Sequence, residues 1–393
     1  MIKMETLTQD QIKEINRANI LKLVKQRGEL TKLELAEALK LSIPTVTANI
    51  NQMLEEGLVE TAGMGSSTGG RKPVMVRLVP DALYAVGVNI APDRVELLLM
   101  NLHGDSLAHS AFPFEKDIRF SEILLRVEAE VEALLQGAGA PREKVAGVGI
   151  SLPGLVDEDR LILEYAPNIG VKDFDFTRFQ ERLGLKLFIE NEANVAAYAE
   201  IETGKTDAMR NVVCVSITDG VGTGIIIDQH IYKSSRKKAG EFGHMRVTGE
   251  DIQCNCGRTG CWELIASKKA LLKCYSEATD RRAASLEEVF DEAHLETPEV
   301  QGALEKYIDG LFIGIENIIL GLNPEYVIIG GELGRYGKPL LDLMNRSDHM
   351  KSNFVEYEGS KVVFSELGDQ GSLIGAALLP FEELFNGRRG IIS

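Results

Sequence analysis

The sequence predicts an α/β protein that carries a small winged helix-turn-helix domain at its N-terminus. Two observations lead to this fold class. The first 80 residues combine helical apolar periodicity and helix-capping signals with two short apolar runs, whereas the rest alternates strand-like runs, glycine turns and helices. The length of 393 residues and the apolar content of 44% are sufficient for two or three separate cores.

Charge divides the chain at the same place. Residues 1–80 contain eleven Lys or Arg and nine Asp or Glu, whereas the whole chain has a formal net charge of −16. A weakly basic segment before a strongly acidic body predicts that nucleic acid binds the N-terminal segment and not the body. Because the sequence shows no targeting signal and no apolar run long enough to cross a bilayer, we expect a cytoplasmic protein with no membrane partner.

The N-terminal residues have the spacing of a helix-turn-helix. An apolar helical face ends at Gly28, and Thr31 with Glu34 forms a predicted capping box that begins a short second helix. A third helix starts near Pro44 and ends at Gly57. A generic helical hairpin is the alternative. In the DNA-binding interpretation, the polar face offered to a major groove consists of Thr45, Thr47, Asn49 and Gln52.

Two short apolar runs, at 58–64 and 73–79, follow the third helix and predict a β-hairpin wing. The connection between them, GSSTGGRKP, is rich in glycine and carries Arg71 and Lys72, which suit phosphates or a minor groove. This basic wing favours DNA binding over the generic hairpin. We therefore predict a DNA-binding domain over residues 1–80.

The acidic body is predicted to consist of strands that end in glycine turns and alternate with helices. A strand pair is expected at 84–104 and a helix at 120–137. Further strand signals lie at 145–157, 186–191, 211–228 and 325–333. Strands of this kind place ligands at their carboxyl ends, so a binding site is expected where several of them end together.

The segment from Glu241 to Glu263 gathers three thiols and one imidazole. Two of the thiols are separated by one residue, glycines allow a tight turn, and the third thiol follows closely. Four such ligands complete a tetrahedral Zn²⁺ site without water, which predicts a structural ion, and a reducing compartment favours metal over disulfide. The alternative is a set of buried free cysteines beside an unrelated histidine. The predicted ligands are His244, Cys254, Cys256 and Cys261.

Together these segments resemble the ROK family of repressors, open reading frames and sugar kinases. The likeness covers nearly the whole chain and rests on the metal-ligand segment, on ENEAN at 190–194 and on SSTGGRKP in the wing; it is strongest to the xylose-repressor-like subgroup, through FIENEAN and GCWELIAS. The resemblance implies a body with a two-lobed, actin-like or ribonuclease-H-like sugar kinase fold. The domains expected are a winged helix-turn-helix at 1–80, a first α/β lobe at 81–199 completed by a C-terminal helix at 370–393, and a second lobe with the zinc loop at 200–369.

The resemblance leaves two classes of function open: a sugar kinase with an appended DNA-binding domain, or a sugar-sensing repressor on a kinase scaffold. ROK kinases carry a glycine-rich phosphate loop after the first strand of the body. This chain has Asn-Ile-Ala-Pro-Asp at 89–93, where proline lacks an N–H and aspartate repels phosphate. Glu192 stands at the position of the kinases' catalytic Asp, although glycines at 220–224 and 330–331 are retained. We expect a repressor without kinase activity.

The same resemblance implies that a monosaccharide binds in the cleft between the lobes. Carboxylates and amides suit such a ligand, because each can pair with two neighbouring hydroxyls. In the family, Pro-Asn is usually followed a few residues later by a tryptophan, but in this chain Val171 follows instead. Tyr165 is a candidate for the aromatic wall of the sugar site. For Asn191 and Glu192, the alternative to sugar binding is a structural role, with Asn191 as a helix N-cap and Glu192 as a favourable charge in the first turn. The implied sugar-binding residues are Gly154, Asn168, Asn191, Glu192, Glu241, His244 and Glu263.

The expected effector is xylose first and glucose second. Xylopyranose lacks the hydroxymethyl group, and the long side chain of Glu192 could occupy that space. The other expected partners are a palindromic double-stranded operator and further copies of the chain in a homodimer or homotetramer. Sugar binding is expected to shift the arrangement of the lobes. The resemblance implies that this shift releases DNA.

Overall fold

The computed structural model describes residues 8–64, 74–115, 117–203, 209–235, 237–249, 251–346 and 361–386. The N-terminal module contains three helices and three strands. In chain order they are α1 Gln9–Arg27, β1 Leu30–Thr31, α2 Lys32–Leu39, α3 Ile43–Glu55, β2 Val59–Met64 and β3 Val74–Leu78.

Local signals define the ends of these helices, as the sequence predicts. Gly28 ends α1 with a φ of 77°, a conformation that glycine adopts without strain. Thr31 and Glu34 form the predicted capping box of α2, and the hydrogen bonds from Thr31 lower the pKa of the Glu34 carboxyl. Ser42 caps α3, and Pro44 lies in its first turn. The three helices enclose one apolar core, which they share with the strands.

The wing is a three-stranded antiparallel sheet in the order β1-β3-β2. β2 and β3 pair with each other, as the two apolar runs predict. The winged helix-turn-helix fold is therefore confirmed. Arg71 and Lys72, which the sequence places in the wing connection, lie outside the described residues.

The first lobe follows the module. Its elements are β4 Tyr84–Ile90, β5 Arg94–Asn101, β6 Ser106–Pro113, α4 Phe120–Ala138, β7 Val145–Leu152, β8 Leu155–Asp157, β9 Ile162–Ala166, β10 Val171–Asp175, α5 Thr177–Leu183, β11 Leu187–Asn191 and α6 Glu192–Thr203. The main sheet has the order β11-β7-β4-β5-β6, with β11, β7 and β4 parallel and the other two pairings antiparallel. A small antiparallel sheet, β10-β9-β8, follows the carboxyl end of β7.

The second lobe repeats this topology. Its elements, with the C-terminal helices, are β12 Val212–Ile217, β13 Val221–Ile227, β14 His230–Ile231, α7 Glu263–Ala266, α8 Lys268–Thr279, α9 Leu286–Val289, α10 Pro298–Leu322, β15 Tyr326–Gly331, α11 Gly337–Arg346, β16 Lys361–Phe364, α12 Gly371–Leu378 and α13 Glu382–Asn386. The sheet order β14-β13-β12-β15-β16 again combines an antiparallel meander with two parallel strands. Two such sheets confirm the two-lobed, actin-like fold.

Two helices, α6 and α12, join the lobes. α12 packs on the first sheet at Gly87 and Gly149, where an added methyl group would overlap the helix backbone. α6 packs on the second sheet at Gly224 and meets α12 at Gly375, again with no room for a side chain. Backbone contacts of this kind leave little space for the two helices to move independently.

The predicted single helix at 370–393 is wrong, because the chain forms α12 and α13 with a 3₁₀ turn, Leu379–Phe381, between them. Pro380 in that turn has no N–H to continue the helical hydrogen bonds. α13 packs against α1, and Phe385 joins the core of the DNA-binding module. Among the described residues, none of the helices combines the length and the apolarity needed to cross a bilayer.

Candidate functional site

A cleft of about 730 Å³ separates the two lobes. It lies at the carboxyl ends of the parallel strands, which is where open α/β sheets bind ligands. Asn89 at the end of β4 lines it from the first lobe, and Gly331 at the end of β15 lines it from the second. The structure brings together all the residues predicted to bind sugar: Gly154, Asn168, Asn191, Glu192, Glu241, His244 and Glu263.

The predicted metal ligands converge beside this cleft. The donor atoms of His244, Cys254, Cys256 and Cys261 all lie within 4.8 Å of one another. The sulfurs of Cys256 and Cys261 are 3.7 Å apart, and Nδ1 of His244 is 3.6 Å from the sulfur of Cys254. A tetrahedral ion with Zn–S bonds of about 2.3 Å has ligand–ligand edges of about 3.8 Å. These four residues therefore fit a single metal ion.

His244 and Glu263 connect the cluster to the cleft. The Nδ1 of His244 faces the cluster, and its Nε2 lies 3.9 Å from a carboxylate oxygen of Glu241. One oxygen of Glu263 accepts a hydrogen bond of 3.1 Å from the Cys254 thiol, and the other accepts one of 3.4 Å from the N–H of Val221. The cluster thus holds polar groups of the cleft in place.

Trp262, between the predicted ligand Cys261 and Glu263, fixes this segment to the core. Its side chain is fully buried, and its indole N–H donates a hydrogen bond of 3.0 Å to the carbonyl of Gly310 in α10. The ring lies so close to Gly314 that no methyl group would fit there. The segment is therefore anchored to the longest helix of the second lobe by packing as well as by any metal.

Asn191 has the contacts of a helix N-cap. Its side-chain oxygen accepts a hydrogen bond of 2.9 Å from the N–H of Ala193, in the first turn of α6, and its amide donates one of 2.8 Å to the carbonyl of Gly154. The alternative weighed from the sequence, a capping role, therefore matches the geometry. Because the same bonds also hold Gly154 at the edge of the cleft, a sugar contact by Asn191 stays a prediction.

Glu192 begins α6 at the floor of the cleft. Burial raises the pKa of its carboxyl from 4.5 to about 7. The glycine loop at 220–224 passes next to Glu192, since a side chain at Gly222 would approach the Glu192 carboxylate. At neutral pH this group is therefore close to its midpoint and can both donate and accept hydrogen bonds.

The raised pKa predicts a pH-dependent stability. Between about pH 4.5 and 7 the folded protein retains a proton on Glu192 that the unfolded chain has released, so raising the pH favours unfolding. Relative to Glu192→Gln, we expect the wild-type free energy of unfolding to fall by up to about 3 kcal/mol over this interval. Urea denaturation from about pH 5 to 8 measures the difference, in which effects common to both proteins cancel. A difference that is constant with pH would contradict the prediction.

Ion pairs across the cleft were not predicted from the sequence. Lys233, which follows β14 in the second lobe, pairs with Glu190 and with Glu158 of the first lobe. Glu190 is only 5% exposed; burial lowers the pKa of Lys233, but the two carboxylates outweigh this effect and raise the pKa above its usual value. Lys237 pairs in the same way with Asp157 and its neighbours. Clustered lysines and clustered acids are visible in the sequence, but the lysines lie 75 and 80 residues from Glu158 and Asp157, so no local pattern shows that they meet.

The turn predicted to have lost phosphate binding is a tight connection between β4 and β5. The N–H of Ala91 donates a hydrogen bond of 2.9 Å to the carbonyl of Arg94, so this donor is already used. Asp93 lines the cleft and lies 3.6 Å from the Arg94 guanidinium, which is also 3.4 Å from Glu96. The turn therefore presents proline, a carboxylate and a paired arginine to the cleft.

The glycine loop at 220–224 begins beside a paired lysine. Lys268 at the start of α8 donates to Asp219 at 2.9 Å and to Glu332 at 2.8 Å. Burial lowers the pKa of Lys268, but its bonds to these carboxylates outweigh the effect and raise the pKa above its usual value. This cation is thus already neutralised by the protein.

Of the four α3 residues predicted to face DNA, one is buried in the structure. The prediction that Asn49 faces DNA is wrong, because its side chain is buried and its amide donates to the carbonyl of Thr45 at 2.9 Å. Asn49 falls on the same helix face as Val46 and Met53, whereas Asn51 is exposed and had not been selected. Thr45, Thr47 and Gln52 are partly exposed, and their contacts with DNA remain predictions.

Comparison with known proteins agrees with both parts of the structure. Residues 14–60 match winged helix-turn-helix DNA-binding domains, and residues 85–383 match the ROK family. The xylose repressor of Bacillus spizizenii is 31% identical over 376 residues, which cover 95% of this chain and 94% of that protein. The N-acetylglucosamine repressor of Shigella flexneri is 26% identical over 387 residues, with 96% and 95% covered.

Solved structures lead to the same fold. A ROK family transcriptional regulator, described as a homologue of the Escherichia coli MLC protein, has a TM-score of 0.81 at 24% identity, over 96% of this chain and 98% of that one. A ROK family glucokinase from Streptomyces griseus, solved with glucose and AMPPNP, has a TM-score of 0.66 at 26% identity over 75% of this chain and 98% of that one. The regulator matches the module as well as the body, whereas the kinase matches the body only. With a family match over most of the chain and a relative above 30% identity over almost all of it, this chain belongs to the ROK family.

Proposed function

We propose that this protein is a DNA-binding transcriptional repressor of carbohydrate-use genes, with a monosaccharide effector bound in the cleft. The observation that carries the proposal is a polar cleft at the strand ends of a body whose C-terminal helix completes the core of a winged helix-turn-helix. The names of its relatives support the same role, since they include repressors for xylose and for N-acetylglucosamine.

We propose xylose as the effector and glucose as the second candidate. Glu241, His244 and Glu263 offer acceptors and a ring nitrogen on one wall of the cleft, and Glu192 lies at its floor. Tyr165, which is 44% exposed at the rim, is available to cover a sugar face. The side chain of Glu192 is one methylene longer than that of aspartate. In our proposal it occupies the space that a hydroxymethyl group would need, which favours a pentose.

We assign the cysteine and histidine cluster to a structural Zn²⁺. The four donors leave no position for water, so the ion would take no part in chemistry. Its function would be to fix the ring of His244, with Nδ1 on the metal and Nε2 directed to the sugar. The protein would then bind sugar with side chains that are already held in place.

The alternative, a sugar kinase, is favoured by the retained glycines beside Glu192 and at the end of β15. Phosphoryl transfer also needs a cradle of N–H groups and a precisely placed base. The turn between β4 and β5 supplies proline and aspartate instead, and the lysine beside the second loop is already paired. We therefore propose that the kinase architecture is retained without the reaction.

We propose that sugar acts by population shift. Closing the lobes on a ligand would alter the relative placement of two recognition helices in a dimer, and a palindromic operator requires a fixed spacing between them. The likeness to repressors supports the direction that we propose, in which sugar releases the operator. Titration calorimetry with xylose and with glucose, combined with an operator fragment selected from random duplex DNA, tests the proposal. Heat from neither sugar would overturn the assignment of effector, and ATP-dependent sugar phosphorylation at enzyme-like rates would overturn the assignment as a repressor.

The wing sequence predicts a phosphate or groove contact by Arg71. We expect Arg71→Ala to weaken operator binding and to reduce the slope of log affinity against log salt concentration by about 1, without changing sugar affinity. Arg119→Ala, which removes one charge from an exposed site of the first lobe, is the matched control. If Arg71→Ala reduces sugar binding as well, the wing has a structural role instead.

A further inference from the structure

α6 extends from the cleft to the DNA-binding module. Its first residue, Glu192, lies at the floor of the cleft, and its penultimate residue, Glu202, lies 3.3 Å from the ammonium group of Lys22 in α1. The Glu202 side chain is only 8% exposed and that of Lys22 27%. Twelve residues of α-helix span about 17 Å, so a single rigid element covers the distance between the two sites.

A second connection runs beside the first. Ser372, near the start of α12, donates a hydrogen bond of 3.3 Å to the carbonyl of Glu192. At the other end, Phe385 of α13 lies beneath Lys25 of α1, whose ammonium group is 4.6 Å from the ring centre. Burial lowers the pKa of Lys25, which agrees with its place at a closed contact. Both connections therefore begin at the same residue of the cleft and end on the same face of α1.

The surroundings of α6 favour movement as one body. Gly224 of β13 and Gly375 of α12 allow backbone contact on two sides of the helix, and a side chain at either would overlap it. On the module side, α1 shares its core with α3, through residues that include Leu21 and Ile50. A displacement of α1 would therefore move the recognition helix.

We propose that α6 transmits the occupancy of the cleft to the DNA-binding module, and that the Lys22–Glu202 ion pair is its point of attachment to α1. This inference rests on the proposed function. The pair is mostly shielded from water, so loss of one partner leaves a poorly solvated charge and frees α1 from the end of α6. Lys22 and Glu202 are positioning residues and contact neither sugar nor DNA bases in this scheme.

The test measures the operator dissociation constant of the full-length protein with and without saturating D-xylose, and in parallel with D-glucose. Couplings between sites are typically about 5- to 150-fold. We expect Lys22→Ala and Glu202→Gln to reduce the wild-type sugar effect on DNA affinity at least about fivefold, while calorimetric sugar affinity changes less than about twofold. The exchanged pair Lys22→Glu with Glu202→Lys should restore part of the coupling.

Lys13→Ala is the control, because it removes the same charge from an exposed position of the same helix and should retain the full sugar effect. Thermal unfolding of each variant establishes that it is folded. If the folded variants keep the wild-type sugar effect, the inference is wrong although the proposed function stands. If wild-type protein binds DNA but shows no response to either sugar, the proposed function and the inference both fail.

Discussion

Replacement of Cys256 by serine is expected to remove most of the metal assigned to the cluster and to weaken the proposed sugar binding together with it. Loss of a partner that only orients a metal ligand costs about 10- to 100-fold in metal affinity, so the loss of a ligand should cost more than about 100-fold. The sulfur of Cys256 is 3.7 Å from that of Cys261, so the ion would keep a gap in its coordination that a serine hydroxyl fills poorly.

The consequence for the cleft follows from the contacts of the ligand set. His244 would lose the metal bond that fixes its ring, and the segment that carries Glu263 beside the proposed ligand Cys261 would be held less firmly. Metal content by atomic emission and sugar affinity by calorimetry measure the two effects. Cys274→Ser is the matched control, because this thiol lies on α8 apart from the cluster. An unchanged metal stoichiometry in Cys256→Ser would rule out the ligand set.

Trp262→Ala is expected to be among the most destabilising substitutions in the second lobe. It removes the largest fully buried side chain and leaves a cavity, for which losses of about 3–5 kcal/mol are usual. The carbonyl of Gly310 would also lose its indole donor. Urea denaturation followed by circular dichroism measures the free energy of unfolding.

Trp262→Phe separates packing from hydrogen bonding, since it retains a ring against Gly314 but has no N–H to donate. We expect this variant to lose markedly less stability than Trp262→Ala and to keep its metal. If the two variants were equally stable, or if Trp262→Ala were as stable as wild type, the anchoring role assigned to the indole would be incorrect.

The sequence predicted those parts of the fold that depend on neighbouring residues. The capping of α2 by Thr31 and Glu34, and the end of α1 at Gly28, are encoded within a few positions and are found as expected. Asn49 shows the limit of a polarity argument: its type suits DNA, but its helical position lies on the buried face. The helix break at Pro380 was encoded locally and was overlooked.

The cleft residues were predicted by resemblance, because nothing in their spacing brings segments around 154, 192 and 263 together. Long-range ion pairs were not predicted at all. Lys233 meets Glu190, and Lys22 meets Glu202, across separations that only the packing of whole elements determines. Patterns within a single sequence carry no information about such contacts. These ion pairs nevertheless connect the two lobes, and they connect the body to the DNA-binding module.

Trp262 is the only tryptophan of the chain, which gives the protein a single intrinsic fluorophore. Its emission originates one residue from Cys261, a proposed metal ligand, and one residue from Glu263, a carboxylate of the cleft. Buried in apolar surroundings, the indole should emit at short wavelength, and changes in intensity or wavelength should report on the metal loop without any attached dye. The proposed metal and sugar binding could then both be tested in real time by the same optical signal, in the unmodified protein.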